Sequence, residues 1–144
     1  MADTTLRSLD QARAFIDDPT PAHLTERPTA AFALLDEILQ WLAPGGDAAR
    51  ESALRVLAIP ERTLARRKAS GTLKEEETDR MLRLLRLKGQ VERMFHGNSA
   101  RAARWMTSPS RALGGHTPLA AAATERGAAR VAELIGQTMH GVVS

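Results

Sequence analysis

Residues 47–80 read DAARESALRVLAIPERTLARRKASGTLKEEETDR, and the fold depends on how this stretch divides. Asp47 is placed to N-cap a first segment in which Ala49, Ala53, Val56 and Leu57 share one helical face. Only Ile59 and Pro60 separate it from a second helical segment, ERTLARRKA. Two short helices joined so tightly cannot lie antiparallel; they cross at a steep angle, as in a helix-turn-helix. SGTL then reads as a turn. Glu75, Glu76 and Glu77 open a longer helix, roughly Lys74 to Phe95, because carboxylates in a first turn offset the partial positive charge there.

The second segment concentrates charge. Arg62, Arg66, Arg67, Lys68 and Lys74 fall within one short stretch. With about 100° per residue and Arg62 at zero, Arg66 lies near 40°, Thr63 near 100°, Arg67 near 140° and Leu64 near 200°. One face therefore offers guanidiniums and a hydroxyl, and the other has Leu64 as its apolar anchor. That is what a recognition helix in a DNA major groove needs, since the planar guanidinium grips guanine O6 and N7 or clamps a phosphate. The competing reading pairs these arginines with the run Glu75–Glu77. Glu61, in the same first turn, would repel phosphates unless it is turned aside or reads a cytosine amino group.

Outward from this stretch the pattern stays helical. Upstream, Phe32, Leu35, Ile38 or Leu39, and Leu42 line a helix from about Thr29 to Leu42, closed by APGG. Residues 5–16 predict a short amphipathic helix, followed by a proline-containing linker with Pro19, Pro21 and Pro28. Downstream, Met81, Leu84, Leu85, Leu87, Val91, Met94 and Phe95 form the stripe of the long helix, which Gly97 ends. Asn98 is set to cap a helix through Trp105 and Met106. TSPSRALGGHTP is a loop. A short helix around Leu119 to Ala123 and a last one from about Glu125 to Met139 follow, with Val131, Leu134 and Ile135 inward.

Composition narrows the function. The chain has 144 residues, 43% of them hydrophobic but only 3% aromatic, with no Tyr; leucine and alanine must fill the core, which predicts an all-α fold. The absence of Cys excludes disulfides and thiolate chemistry. His23, His96, His116 and His140 form no metal-binding spacing, and no apolar run is long enough to span a bilayer. The expectation is a cytoplasmic protein with no metal and no cofactor. Formal charge is +3, but residues 1–60 hold five basic and nine acidic side chains against fifteen and eight in 61–144. With a pI near 10.2, that asymmetry suits a nucleic-acid partner, and solvated arginine-rich helices can also produce it. An enzyme using His116 or His140 as a base is the weakest reading, because no carboxylate or nucleophile is set beside either. There is no GxGxxG, and neither Gly45-Gly46 nor Gly114-Gly115 follows a strand.

Read with the end of the chain, ARAARWMTSPSRALGGHTPLAAAATERGAARVAELIGQTMHGVVS, the helix-turn-helix resembles the Xre/MbcA/ParS antitoxin family over about residues 30–144. The family's Arg-Thr-Leu-x-Arg-Arg element matches Arg62, Thr63, Leu64, Arg66 and Arg67. Its C-terminal signature matches Trp105, Pro109, Leu113, Gly114, Gly115, Thr117 and Pro118, then Thr124, Glu125 and Gly127, and finally His140, Gly141 and Val142, with Val131 inside the last helix. Met106 stands where Leu is usual, Ala58 where the turn often has Gly, and Thr138-Met139 where Arg-Ile is common.

The resemblance implies a helix-turn-helix bundle over 30–96, a small helical toxin-binding domain over 97–144, and an N-terminal helix and linker over 1–29. It implies a non-enzymatic antitoxin that neutralises an NAD-depleting RES-domain toxin and represses its own operon at operator DNA. Dimerisation is expected, since two half-sites are normally read together. The alternative is a stand-alone transcriptional regulator whose C-terminal domain serves dimerisation. Gly141 can release the chain from helical geometry, so that the segment from His140 onward could enter a toxin cleft; a frayed terminus is the plain alternative.

Overall fold

The computed structural model describes residues 28–141. The helix expected at 5–16, the linker, His23 and Val142–Ser144 lie outside the described residues. Among the described residues every element is helical, in agreement with the all-α expectation: α1 (Pro28–Leu42), α2 (Gly46–Leu57), α3 (Glu61–Ser70), α4 (Glu75–Met94), α5 (Ser99–Met106), α6 (Pro118–Ala121) and α7 (Glu125–Met139), with 3-10 turns at Ala43–Gly45 and Arg111–Leu113.

α4 is the axis. At about 1.5 Å per residue it runs roughly 30 Å, and it packs against α1, α2, α5 and α7. Met81, Leu84, Leu85, Leu87 and Val91 are buried along it, the i, i+3, i+4 spacing that turns one stripe inward. They meet Leu34, Leu35, Ile38 and Leu42 of α1, Leu57 of α2, Met106 of α5, and Val131 and Ile135 of α7 in one continuous core. His96 and Gly97, both with positive φ (54° and 86°), turn the chain after α4, yet the core runs across this turn without a break. Trp41 is 8% exposed and its indole N–H donates to the Ser99 carbonyl at 2.9 Å, tying α1 to α5. Lys88 lies 5.4 Å from the centre of that ring.

Two local readings change. Asp47 is not the N-cap of α2: Gly45 occupies that position, Asp47 sits inside the first turn, and no side chain caps. The loop between α2 and α3 also includes Ala58, in left-handed geometry at φ 56°, ψ 40°. The Ile59 N–H reaches back to the Leu54 carbonyl at 3.0 Å while the Ile59 side chain is buried, a Schellman-type ending. Alanine there carries a strain of about 1 kcal/mol that glycine would not, which is why glycine is the common residue at this turn.

Candidate functional site

α3 is held to the body by few groups. Leu64 is its one buried residue, as the wheel predicts. The second tether is polar. Arg67 donates from Nε and Nη2 to the two oxygens of Glu77 at 2.9 and 3.2 Å, and both side chains are largely buried. Glu77 Oε1 also accepts from the Lys74 backbone N–H at 2.8 Å, capping α4. Burial works to raise the Glu77 pKa, but the bidentate Arg67 contact, the Lys74 N–H and the two nearby cations outweigh it, and the carboxyl is held below its usual range. The hydrogen bond to Glu77 raises the Arg67 pKa in turn. Arg67 therefore leaves the exposed set expected of it: its fork is occupied inside the fold, and only this one arginine of the helix meets the glutamate run.

Arg62 and Arg66 are exposed on a shared face, with Thr63 half-buried between them. Arg66 Nη2 lies 3.4 Å from Thr63 Oγ1, a long contact that leaves the guanidinium available. Lys68 is exposed too, though it sits about 200° round the helix from Arg66, so the two do not address the same surface. Glu61 is turned aside by a residue the sequence did not single out: Arg50 of α2 donates from Nε at 2.6 Å and from Nη2 at 3.1 Å to the Glu61 oxygens. That pairing lowers the Glu61 pKa and raises that of Arg50. The repulsion expected of Glu61 is thus largely neutralised by its own neighbour.

Beyond α5, the C-terminal signature is mostly internal architecture. The loop folds on its own backbone: Ser110 N–H donates to the His116 carbonyl at 3.0 Å, and the Ser110 carbonyl accepts from Leu113 N–H at 3.1 Å and Gly115 N–H at 2.8 Å. Gly114 and Gly115 have φ of 68° and 87°, conformations that glycine adopts without strain. Thr117 caps α6 by accepting from Ala120 N–H at 3.0 Å, with Pro118 buried in the first turn; α6 thus starts at Pro118 and ends at Ala121, earlier than the sequence predicts. Thr124 caps α7 through Gly127 N–H at 2.9 Å. A Cβ on Gly127 would lie 1.7 Å from the Ala121 carbonyl oxygen, so α6 and α7 pack this closely only around glycine.

Val131 is fully buried and Leu113 packs against the core. Pro109 and His140 are exposed. His140 is the C-cap of α7, its N–H donating to the Gly136 carbonyl at 3.0 Å, and Gly141, whose N–H donates to the Thr138 carbonyl at 3.3 Å, turns left-handed at φ 66°. Val142 lies outside the described residues. Arg83 of α4 joins the two halves: its Nη1 is 3.4 Å from both the Ala122 and Ala123 carbonyls, and Nη2 is 3.8 Å from Glu125. A cation at the carbonyl end of α6 is favourably placed.

Trp105 differs from Trp41. It is half-buried and packed against the core, and among the described residues its indole N–H has no acceptor. With Phe95, Arg101, Arg104 and Ser108 it lines a hollow of about 250 Å3. Among the described residues, no group of His, Asp or Glu is arranged to hold a metal ion, and no helix is long and apolar enough to cross a membrane.

Family comparisons fall on these two ends. Residues 22–86 match the antitoxin Xre-like helix-turn-helix domain, and residues 90–141 match the antitoxin Xre/MbcA/ParS C-terminal toxin-binding domain, so the matches meet within α4. The chain is 35% identical over 112 residues to an antitoxin Xre of Photorhabdus laumondii, 77% of this chain and 73% of that one. It is 38% identical over 92 residues to an antitoxin Xre of Yersinia enterocolitica, where the match spans 63% of this chain and 62% of the relative, under two thirds of its length. The Pseudomonas putida antitoxin Xre is 32% identical over 84 residues, 58% of this chain and 52% of the relative. With both halves matched in order and the recognition-type helix and glycine-dependent α6–α7 packing in place, the chain belongs to the Xre/MbcA/ParS family of antitoxins.

Proposed function

We propose that this chain is the antitoxin of a toxin–antitoxin pair in the cytoplasm. Its C-terminal half binds and neutralises an NAD-depleting RES-domain toxin. Its helix-turn-helix, acting as a homodimer on two half-sites, represses the operon that encodes both proteins. The observation that carries this reading is the pairing, around one continuous core, of an exposed Arg62–Arg66 face on α3 within the helix-turn-helix match and a toxin-binding-domain match over residues 90–141.

Arg62 and Arg66 supply the base-reading forks and Thr63 a hydroxyl near them, while Lys68, on the other side of α3, adds only to the positive field around the helix. Arg67 contributes by orienting α3 through Glu77. The segment from His140 onward, released from helical geometry at Gly141, blocks the toxin's NAD pocket. The test mixes the purified chain with the toxin encoded in the neighbouring reading frame and follows NAD. Intact chain preserves NAD, and deletion of residues 140–144 restores its loss. A toxin that consumes NAD equally fast with the intact chain present would refute the antitoxin assignment, and undiminished inhibition by the shortened chain would refute the role of the segment alone.

A further inference from the structure

The C-terminal end of α4 carries a surface whose chemistry none of the packing explains. Between Glu92 and Glu125 the chain has no carboxylate at all, but it has Arg93, Arg101, Arg104 and Arg111. Arg101 and Arg104, one helical turn apart on α5, are exposed and pair with no carboxylate among the described residues. Arg101 lies 5.3 Å from the centre of the Phe95 ring, which holds the guanidinium over an aromatic face and leaves its N–H edges outward. Between them lies the hollow walled by Phe95 and Trp105, with the Trp105 N–H lacking an acceptor among the described residues. The Ser108 hydroxyl is engaged with the main chain, donating to the Arg104 carbonyl at 2.6 Å. Some exposed arginines elsewhere do find carboxylates, Arg50 with Glu61 and Arg130 with Glu133; among the described residues the other exposed arginines without one include Arg62 and Arg66, the face proposed for DNA.

We propose that this hollow is a docking site for the partner toxin, taking a large apolar side chain flanked by carboxylates. The inference rests on the toxin-binding reading above and specifies the surface that performs it. Charge complementarity sets the occupant: two unpaired guanidiniums around an apolar floor match acidic residues beside an apolar anchor, the Trp and Arg composition of interface hot spots. A nucleic acid would satisfy the arginines as well. However, Phe95, Arg101, Arg104 and Trp105 all lie within the toxin-binding-domain match and outside the helix-turn-helix match.

The experiment uses the full chain carrying Arg101→Ala with Arg104→Ala, and Arg104→Glu alone as a second variant, titrated calorimetrically with the toxin from the neighbouring reading frame. Both sites are exposed, and melts matching wild type confirm the fold. Toxin affinity should fall at least tenfold, with a flatter dependence on salt, while binding to an operator fragment is unchanged. Unaltered toxin affinity in both variants overturns the docking site and leaves the antitoxin reading standing. Loss of operator binding with toxin affinity intact overturns it in favour of a nucleic-acid surface. Failure of the unsubstituted chain to bind toxin overturns the antitoxin reading, and this inference with it.

Discussion

At the N-terminal end of α4, α3 is tied into the fold by two ion pairs, its Arg67 on Glu77 of α4 and its Glu61 on Arg50 of α2. At the C-terminal end, Arg101 and Arg104 surround an aromatic hollow with no carboxylate beside them among the described residues. The anchoring also differs. α3 has Leu64 as its one buried residue, whereas α7 buries Ala128, Val131 and Ile135 and fits α6 so closely that Gly127 has no room for a side chain. A helix with one apolar anchor and two ion pairs keeps the face of Arg62 and Arg66 open to a partner. A helix wedged by backbone contact is a support, and the residues that make the wedge say little about what it touches.

The largest effect expected from disturbing this contrast is at the wedge. Gly127→Ala should destabilise the protein by about 4 kcal/mol or more, because a Cβ at 1.7 Å from the Ala121 oxygen forces backbone apart and the core is continuous with α4. Denaturant unfolding would measure it, and a midpoint near wild type would mean that α6 and α7 are not packed this closely.

Next comes Leu64→Ala, costing about 2–5 kcal/mol at the docking of α3. The loss should be local: hydrogen exchange should speed up at Leu64 N–H, now bonded to the Pro60 carbonyl at 2.8 Å, and at Gly71 N–H, bonded to Arg67 at 2.7 Å. Unchanged protection at both amides would show that something other than Leu64 holds the helix.

Removing the polar tether should have a smaller and pH-dependent effect. Glu77→Gln leaves Arg67 without its carboxylate and should cost about 1–3 kcal/mol near neutral pH, less than a fully buried pair because Arg67 keeps some access to water. The folded pKa of Glu77 is lowered. Its contribution is therefore fully present above the ordinary glutamate value of about 4.3 and is lost as the pH falls through the lower folded value. Stability curves for wild type and Glu77→Gln should converge in acid; parallel curves down to pH 2 would contradict the pairing.

The residues themselves account for what the sequence could disclose. Helices and their inward faces follow from 3.6-residue periodicity, so α1, α4 and α7 are legible, as are Asn98, which accepts from Arg101 N–H at 3.0 Å, and the burial of Leu64; on α7, however, Ala128 is buried with Val131 and Ile135, and Leu134, expected inward, is only half-buried. Asp47 fails as a cap because the preceding 3-10 turn carries Gly45 into that position first. Arg67 looks identical to Arg66 on a wheel. Which of the two meets Glu77 depends on how α3 is set against the start of α4, a tertiary fact. Arg50 as the partner of Glu61 is likewise invisible at a separation of eleven residues across a turn. By contrast, the carboxylate-free span between Glu92 and Glu125 was there to be read, and only the placement of Phe95 beside Arg101 gives it meaning.

The smallest effect sharpens the comparison at the DNA end. Arg50→Ala frees the Glu61 carboxylate beside the proposed groove and should weaken operator binding about two- to fivefold, the size expected of one exposed ion pair, with Arg50→Ala/Glu61→Ala restoring it. No recovery in the double variant would mean that Arg50 acts by itself.

The central claim is that the two ends of α4 serve two partners independently. It is tested most directly by Arg62→Ala/Arg66→Ala, assayed in parallel for operator binding by fluorescence anisotropy and for protection of NAD against the toxin. At about 1–3 kcal/mol per base-reading contact, operator affinity should drop at least tenfold while the inhibition curve superimposes on that of wild type. Operator affinity that stays at the wild-type level, or inhibition that falls in step with it, would contradict the account.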